Sequence, residues 1–227
     1  MENAHLLIVP SLLIIGHILT FNINLLTKKY ASILKSFAAG FSITYVFMIL
    51  FPEVYSHHTN SLYSPTILVL GGFILFHVTH SFVFKHHETK NRIFLLDEIH
   101  LLIAGFYNFL IAFSIVDLMK IDAINGTIVG VLLVLHALLI DITNTDMTRH
   151  TPSKIKLCII LAGSILGSII SYMEFSNDAV TTLIFSITAG AMIYITIREE
   201  IPKFNNSRPG YFIVGSLVLL TSILLFY

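Results

Sequence analysis

The chain has 227 residues, 56% of them hydrophobic and only 11% charged, and its formal net charge is zero. Soluble domains carry roughly 25% charged residues, so a water-soluble fold is excluded, and the balanced charge gives no footing for nucleic acid or a polybasic membrane tether. A single cysteine, Cys158, excludes an internal disulfide.

Crossing the hydrocarbon as helix takes about 20 apolar residues, because every backbone polar group must be bonded within its own segment. By that ruler the chain offers eight spans, near 5–26, 32–52, 65–84, 94–118, 122–143, 155–173, 178–197 and 211–227. The first carries Glu2 in place of a basic leader and has no small-residue cleavage site, so it reads as a retained span with His17 at mid-depth. The second, FAAGFSITYVFMILFPE, opens with small residues and closes on Pro52-Glu53. The third holds His77 and His80 on one face of its inner half; they either bond neighbouring carbonyls or handle metal or protons. The fourth opens with Asp97, Glu98 and His100 and contains YNFLIA with Asn108, and the fifth contains HALLID with His136 and Asp141. In the sixth, GSILGS places Gly163 and Gly167 one turn apart, a spacing that lets another helix approach closely. The seventh ends in Arg198-Glu199-Glu200 before Pro202, and the eighth is apolar throughout.

The breaks between spans are short, so the whole chain, 1–227, reads as one all-α transmembrane domain. Tyr30, Tyr55, Tyr63, Tyr172, Tyr211 and Tyr227 fall at span ends, where interfacial anchors belong. Of the 13 Lys and Arg, all but Lys120 fall on the odd-numbered connections. Basic loops favour the cytoplasm, so a multi-pass protein with both termini on the non-cytoplasmic side is expected. Asp141 falls inside its span and needs a partner; Arg198, at the same level, is the expected one. With Asp97, Glu98, Asp146, Glu199 and Glu200, Asp141 forms either an acidic cytoplasmic vestibule or ordinary helix-end chemistry. Asn125-Gly-Thr127 fits a glycosylation sequon on a connection too short for modification. No hydrolase, metalloprotease or phosphate-loop signature occurs, and no enzyme is expected.

Spans two and seven share their punctuation. Ala39-Gly40 answers Ala189-Gly190 and Pro52 answers Pro202, an offset of 150 residues at both marks. The two spans run in opposite directions through the membrane, so an inverted-topology repeat is expected, spans 1–3 against 6–8 with 4 and 5 between. Both prolines, lacking an amide proton, are expected to stop their helices.

AAGFSITYVFMILFPEV and AGAMIYITIREEIPK resemble the second and seventh helices of the ZIP (Zrt/Irt-like) family of divalent-metal transporters. The resemblance implies an eight-helix 3+2+3 inverted repeat, with zinc or another divalent metal as the transported ion and helices four and five as its site. KHHETK resembles the family's histidine-bearing loop after the third helix. Against the family's motifs, Tyr107, Ile111 and Ala112 stand where the fourth helix supplies His, a carboxylate and Gly, while Asn108 is kept. In the fifth helix His136 is kept, Ala137 and Ile140 replace ligands, and Asp141 matches the last position; Ser164 replaces the sixth helix's acid. His136 and Asp141 lie about 140° apart around a helix and cannot chelate as a one-turn pair. The metal residues implied are therefore Asn108, His136 and Asp141, with His77 or His80 supplementing them. Two functions follow: transport of divalent metal, or a ZIP-fold protein that has lost metal transport and serves as a subunit, sensor or carrier of another solute. The lipid bilayer is the expected partner, no resident cofactor is implied, and a homodimer is left open.

Overall fold

The computed structural model describes residues 4–22, 27–56, 64–86, 89–143, 153–173, 178–201 and 208–226. Among them the chain is helical and contains no strand. A 3-10 turn, Ala4–Leu7, leads into α1 (Ile8–Asn22). Helix α2 runs Thr27–Tyr45, continues through a π-helical turn at Val46–Leu50, and finishes with an α-helical turn at Phe51–Ser56. Then come α3 (Pro65–His86), α4 (Thr89–Ile121), α5 (Ala123–Thr143) and α6 (Ser153–Tyr172). Helix α7 (Asp178–Ile195) extends through a second π turn at Thr196–Glu200, and α8 is Pro209–Phe226.

Five stretches are long and apolar enough to cross a membrane: Ser32–Ser56, Pro65–Phe82, Leu101–Ile121, Lys154–Tyr172 and Ala179–Arg198. The apolar parts of α1, α5 and α8 are shorter. The outer helices show Ile67, Leu70, Ile74, Ile213, Val214 and Leu217 to the outside and bury glycines and hydroxyls within. That inversion of the soluble pattern is what lipid as solvent allows, and the chain is an integral membrane protein by this criterion.

Helix α4 is the central pillar, buried at every residue from Leu110 to Met119. It is longer at both ends than the sequence indicates, and only Asp122 separates it from α5. The Asp122 carboxylate caps α5, accepting the N–H groups of Ile124 at 2.9 Å and Asn125 at 3.0 Å. The sequon asparagine thus sits in the first turn of a helix, its side-chain amide donating to the other Asp122 oxygen.

Four glycines bring α2 against α8 and α3 against α7. A Cβ on Gly40 would fall on the Phe212 carbonyl, and one on Gly215 would fall on that of Phe37, which fixes α2 against α8. Likewise Gly190 meets the Val69 carbonyl and Gly72 that of Ile187, which fixes α7 against α3. Moving from α2 to α7 adds 150 to the residue number, and from α3 to α8 adds 143. Under that mapping the first pair of contacts becomes the second.

The π turns obey the same offset. Phe51 N–H bonds the Val46 carbonyl, and Ile201 N–H bonds that of Thr196 at 2.9 Å. Both prolines were expected to end helices, yet α2 continues past Pro52 to Ser56. A proline ring clashes with the carbonyl four residues back; the wider turn moves that carbonyl aside, and the helix resumes.

A hydrogen-bonded centre between α2, α4 and α5

His136 of α5 is 1% exposed, and its Nε2 lies between two hydroxyls. Tyr107 Oη of α4 is 2.9 Å away and Ser42 Oγ of α2 is 3.0 Å away. Phe41 stacks on the imidazole at a ring separation of 5.6 Å and 11° between planes. Three helices therefore converge on one nitrogen. In the tautomer protonated at Nδ1, Nε2 accepts from the phenol, the stronger donor of the two, and its lone pair is occupied from within the protein. Tyr107, which the resemblance would set opposite a metal-binding histidine, bonds His136 directly.

The other residues implied by the resemblance do not gather there. Asn108 is buried; its amide donates to the Ala104 carbonyl at 2.9 Å, and its Oδ1 has no hydrogen-bond partner. Asp141 belongs to a second cluster: its Oδ2 accepts from His17 Nδ1 at 2.5 Å, with Thr20 Oγ1 at 3.5 Å. Lys156 of α6 adds its field to that carboxylate. The expected Asp141–Arg198 pair is not formed; His17 takes that place, because α1 packs on α5 and brings a buried imidazole to the carboxylate. His17 Nε2 is buried and unpartnered.

On α3, His80 is buried while His77 is exposed, so their shared face divides at the protein boundary. Both rings lie 5.9 Å from the ring of Tyr194 on α7, and Phe73 stacks on His77. The side chains of Asp97, Glu98, His100, Ile140, Glu199 and Glu200, and all of Asp146, lie outside the described residues, and the acidic vestibule with them. Gly163 and Gly167 meet the carbonyls of Gly105 and Phe109, which accounts for GSILGS by packing.

A third polar cluster escaped sequence reasoning. Asp117 of α4 is 7% exposed, with Ser171 Oγ of α6 at 3.5 Å, and Lys120 Nζ donates to the Ser171 carbonyl. The signal was present in the sequence: an acid inside an apolar span with a lysine one turn on.

Among the described residues, no three His, Cys, Asp or Glu side chains come together to hold a metal ion. At the His136 centre a divalent cation would meet one imidazole nitrogen and two neutral hydroxyls, a poor donor set beside carboxylate or a second imidazole. No known protein family and no curated protein matches the chain. Fold and polar interior together define an all-helical integral membrane protein.

Proposed function

We propose that this protein is a ZIP-like, multi-pass inverted-repeat membrane protein in which the metal route through α4 and α5 is closed. It serves as a membrane subunit, a sensor or a carrier of a solute other than a divalent ion. The observation that carries the reading is the Tyr107–His136–Ser42 cluster, three neutral groups satisfying one another where the family would hold its cation. The 3+2+3 arrangement is supported by the four glycine contacts and the two π turns that exchange under one mapping. Two three-helix units of opposite orientation account for that exchange, α1–α3 against α6–α8, with both termini on the non-cytoplasmic side.

Divalent-metal transport is the second reading. It is favoured by the His17–Asp141 pair, since a carboxylate that orients an imidazole is the usual support of a metal ligand. Zinc and manganese uptake into proteoliposomes separates the two. The first reading expects no uptake by the wild type and none by His136→Ala. It expects Tyr107→His, which frees Nε2 of His136 and supplies a second imidazole, to gain zinc binding. Wild-type uptake abolished by His136→Ala establishes the second reading instead.

A further inference from the structure

Two side chains of α4, about one turn apart, converge on one residue of α6. Ser171 Oγ lies 3.5 Å from Asp117 Oδ1, and the Ser171 carbonyl accepts from Lys120 Nζ. Ser171 is fully buried and Asp117 nearly so, and α4 is here long and apolar enough to cross a membrane. That carbonyl is among the last four of α6, which lack partners within the helix and carry the negative end of its dipole. Lys120 is also the single basic residue that departs from the odd-numbered connections. A carboxylate, a hydroxyl and a carbonyl thus gather around one ammonium.

The spacing suits a metal ion better than a hydrogen bond. A hydroxyl normally bonds an oxygen at about 2.7–2.8 Å, so the 3.5 Å contact is a weak one. Oxygens around calcium, an ion of nearly sodium's size, lie about 2.3–2.6 Å from it, which sets adjacent ligands roughly 3.3–3.7 Å apart. Carboxylate, hydroxyl and carbonyl oxygens are donors for hard cations. One carboxylate balances one charge, and a second charge on the ion would stand uncompensated inside the span.

We propose that Asp117 and Ser171 form a binding site for a monovalent metal cation of sodium's size, closed by the Lys120 ammonium as a tethered substitute. The ammonium brings the same single charge and takes the same carbonyl that would ligate the ion. Lys120 is half-buried at the end of α4, and its flexible stem lets the ammonium withdraw without moving the helix. A similar grouping recurs at the other end of the central pair. There Asp141, in the last turn of α5, meets Thr20 near the end of α1 and the imidazole of His17. Each central helix therefore ends on a carboxylate accompanied by a hydroxyl of the neighbouring helix and by a basic side chain.

The test reads the thermal midpoint of the purified full chain in sodium chloride and in choline chloride at equal ionic strength. Lys120→Met keeps the stem and removes the charge. Its midpoint should rise by about 3–6 °C from choline to sodium, the shift expected when the ion is in tenfold excess over its dissociation constant. The wild type should melt alike in both salts, because its own ammonium holds the site. Adding Asp117→Asn to Lys120→Met should abolish the sodium response. A Lys120→Met chain that folds in sodium and not in choline also supports the proposal. Equal midpoints for that variant in the two salts would leave Lys120 a cap on α6 and overturn it, as would failure to fold in sodium. A sodium response in the wild type, or one that survives Asp117→Asn, overturns it as well.

Discussion

Tyr107 and His136 meet hydroxyl to imidazole at 2.9 Å, joining the two central helices at the point where the family resemblance would place a cation. Tyr107→Phe removes one hydroxyl while keeping the ring. The expected cost is about 1–2 kcal/mol, because His136 Nε2 loses one of its two buried hydroxyl partners. Thermal unfolding in detergent measures it, with Ser42→Ala as the matching variant. The double variant should fall short of the sum, since both hydroxyls serve one nitrogen.

His17 and Asp141 join α1 to α5 by a hydrogen bond of 2.5 Å between imidazole Nδ1 and carboxylate. Asp141→Asn retains shape and a hydrogen-bond acceptor, whereas His17→Ala leaves the carboxylate with Thr20 and the field of Lys156 but without its closest partner. The alanine variant should be destabilised by about 1–3 kcal/mol and the asparagine variant by less. Combining them should cost little more than His17→Ala alone, because once the imidazole is gone the second change has no partner to disturb. Additive losses would show that the two residues act separately.

Adjacent glycines on α3 make a sharp comparison. A Cβ at Gly71 meets nothing within 4 Å, whereas at Gly72 it would lie 2.8 Å from the Ile187 carbonyl oxygen and 2.9 Å from Ile187 Cα. Gly71→Ala should be neutral or stabilising by up to about 1 kcal/mol through helix propensity. Gly72→Ala should destabilise by about 1–3 kcal/mol, since the obstacle is backbone and α3 must move off α7. Equal midpoints for the two variants would contradict the close approach of those helices.

Sidedness can be read chemically because Cys158 is the chain's single cysteine. In a Cys158→Ser background, cysteines introduced at Ser56, at the end of α2, and Lys85, at the end of α3, both exposed, should react with an impermeant maleimide from opposite sides of sealed vesicles. Labelling of both from one side would remove the topology, and the inverted repeat with it.

How much of this was legible beforehand depended on the kind of information involved. Membrane class and helix count follow from composition and run length, because hydrocarbon admits only internally bonded segments and these must be apolar and long; five of the helices meet that length. The matching glycine contacts and π turns were legible as Ala-Gly and Pro at matched offsets, since backbone contact and helix disruption restrict which residues a site accepts. Asp117 stands outside every motif position, yet a carboxylate buried in a span requires a partner or a function.

The sequence by itself determined that this chain lives in a bilayer as a set of apolar helices, and that two of them carry Ala-Gly and Pro marks 150 residues apart. Only the tertiary structure decided that His136 is bonded to Tyr107 and Ser42, that Asp141 pairs with His17 instead of Arg198, and that Pro52 does not end its helix. Those outcomes depend on which helices lie side by side and how each is turned about its axis. A linear pattern records the faces of single helices, and partners on different helices are fixed only when the faces meet.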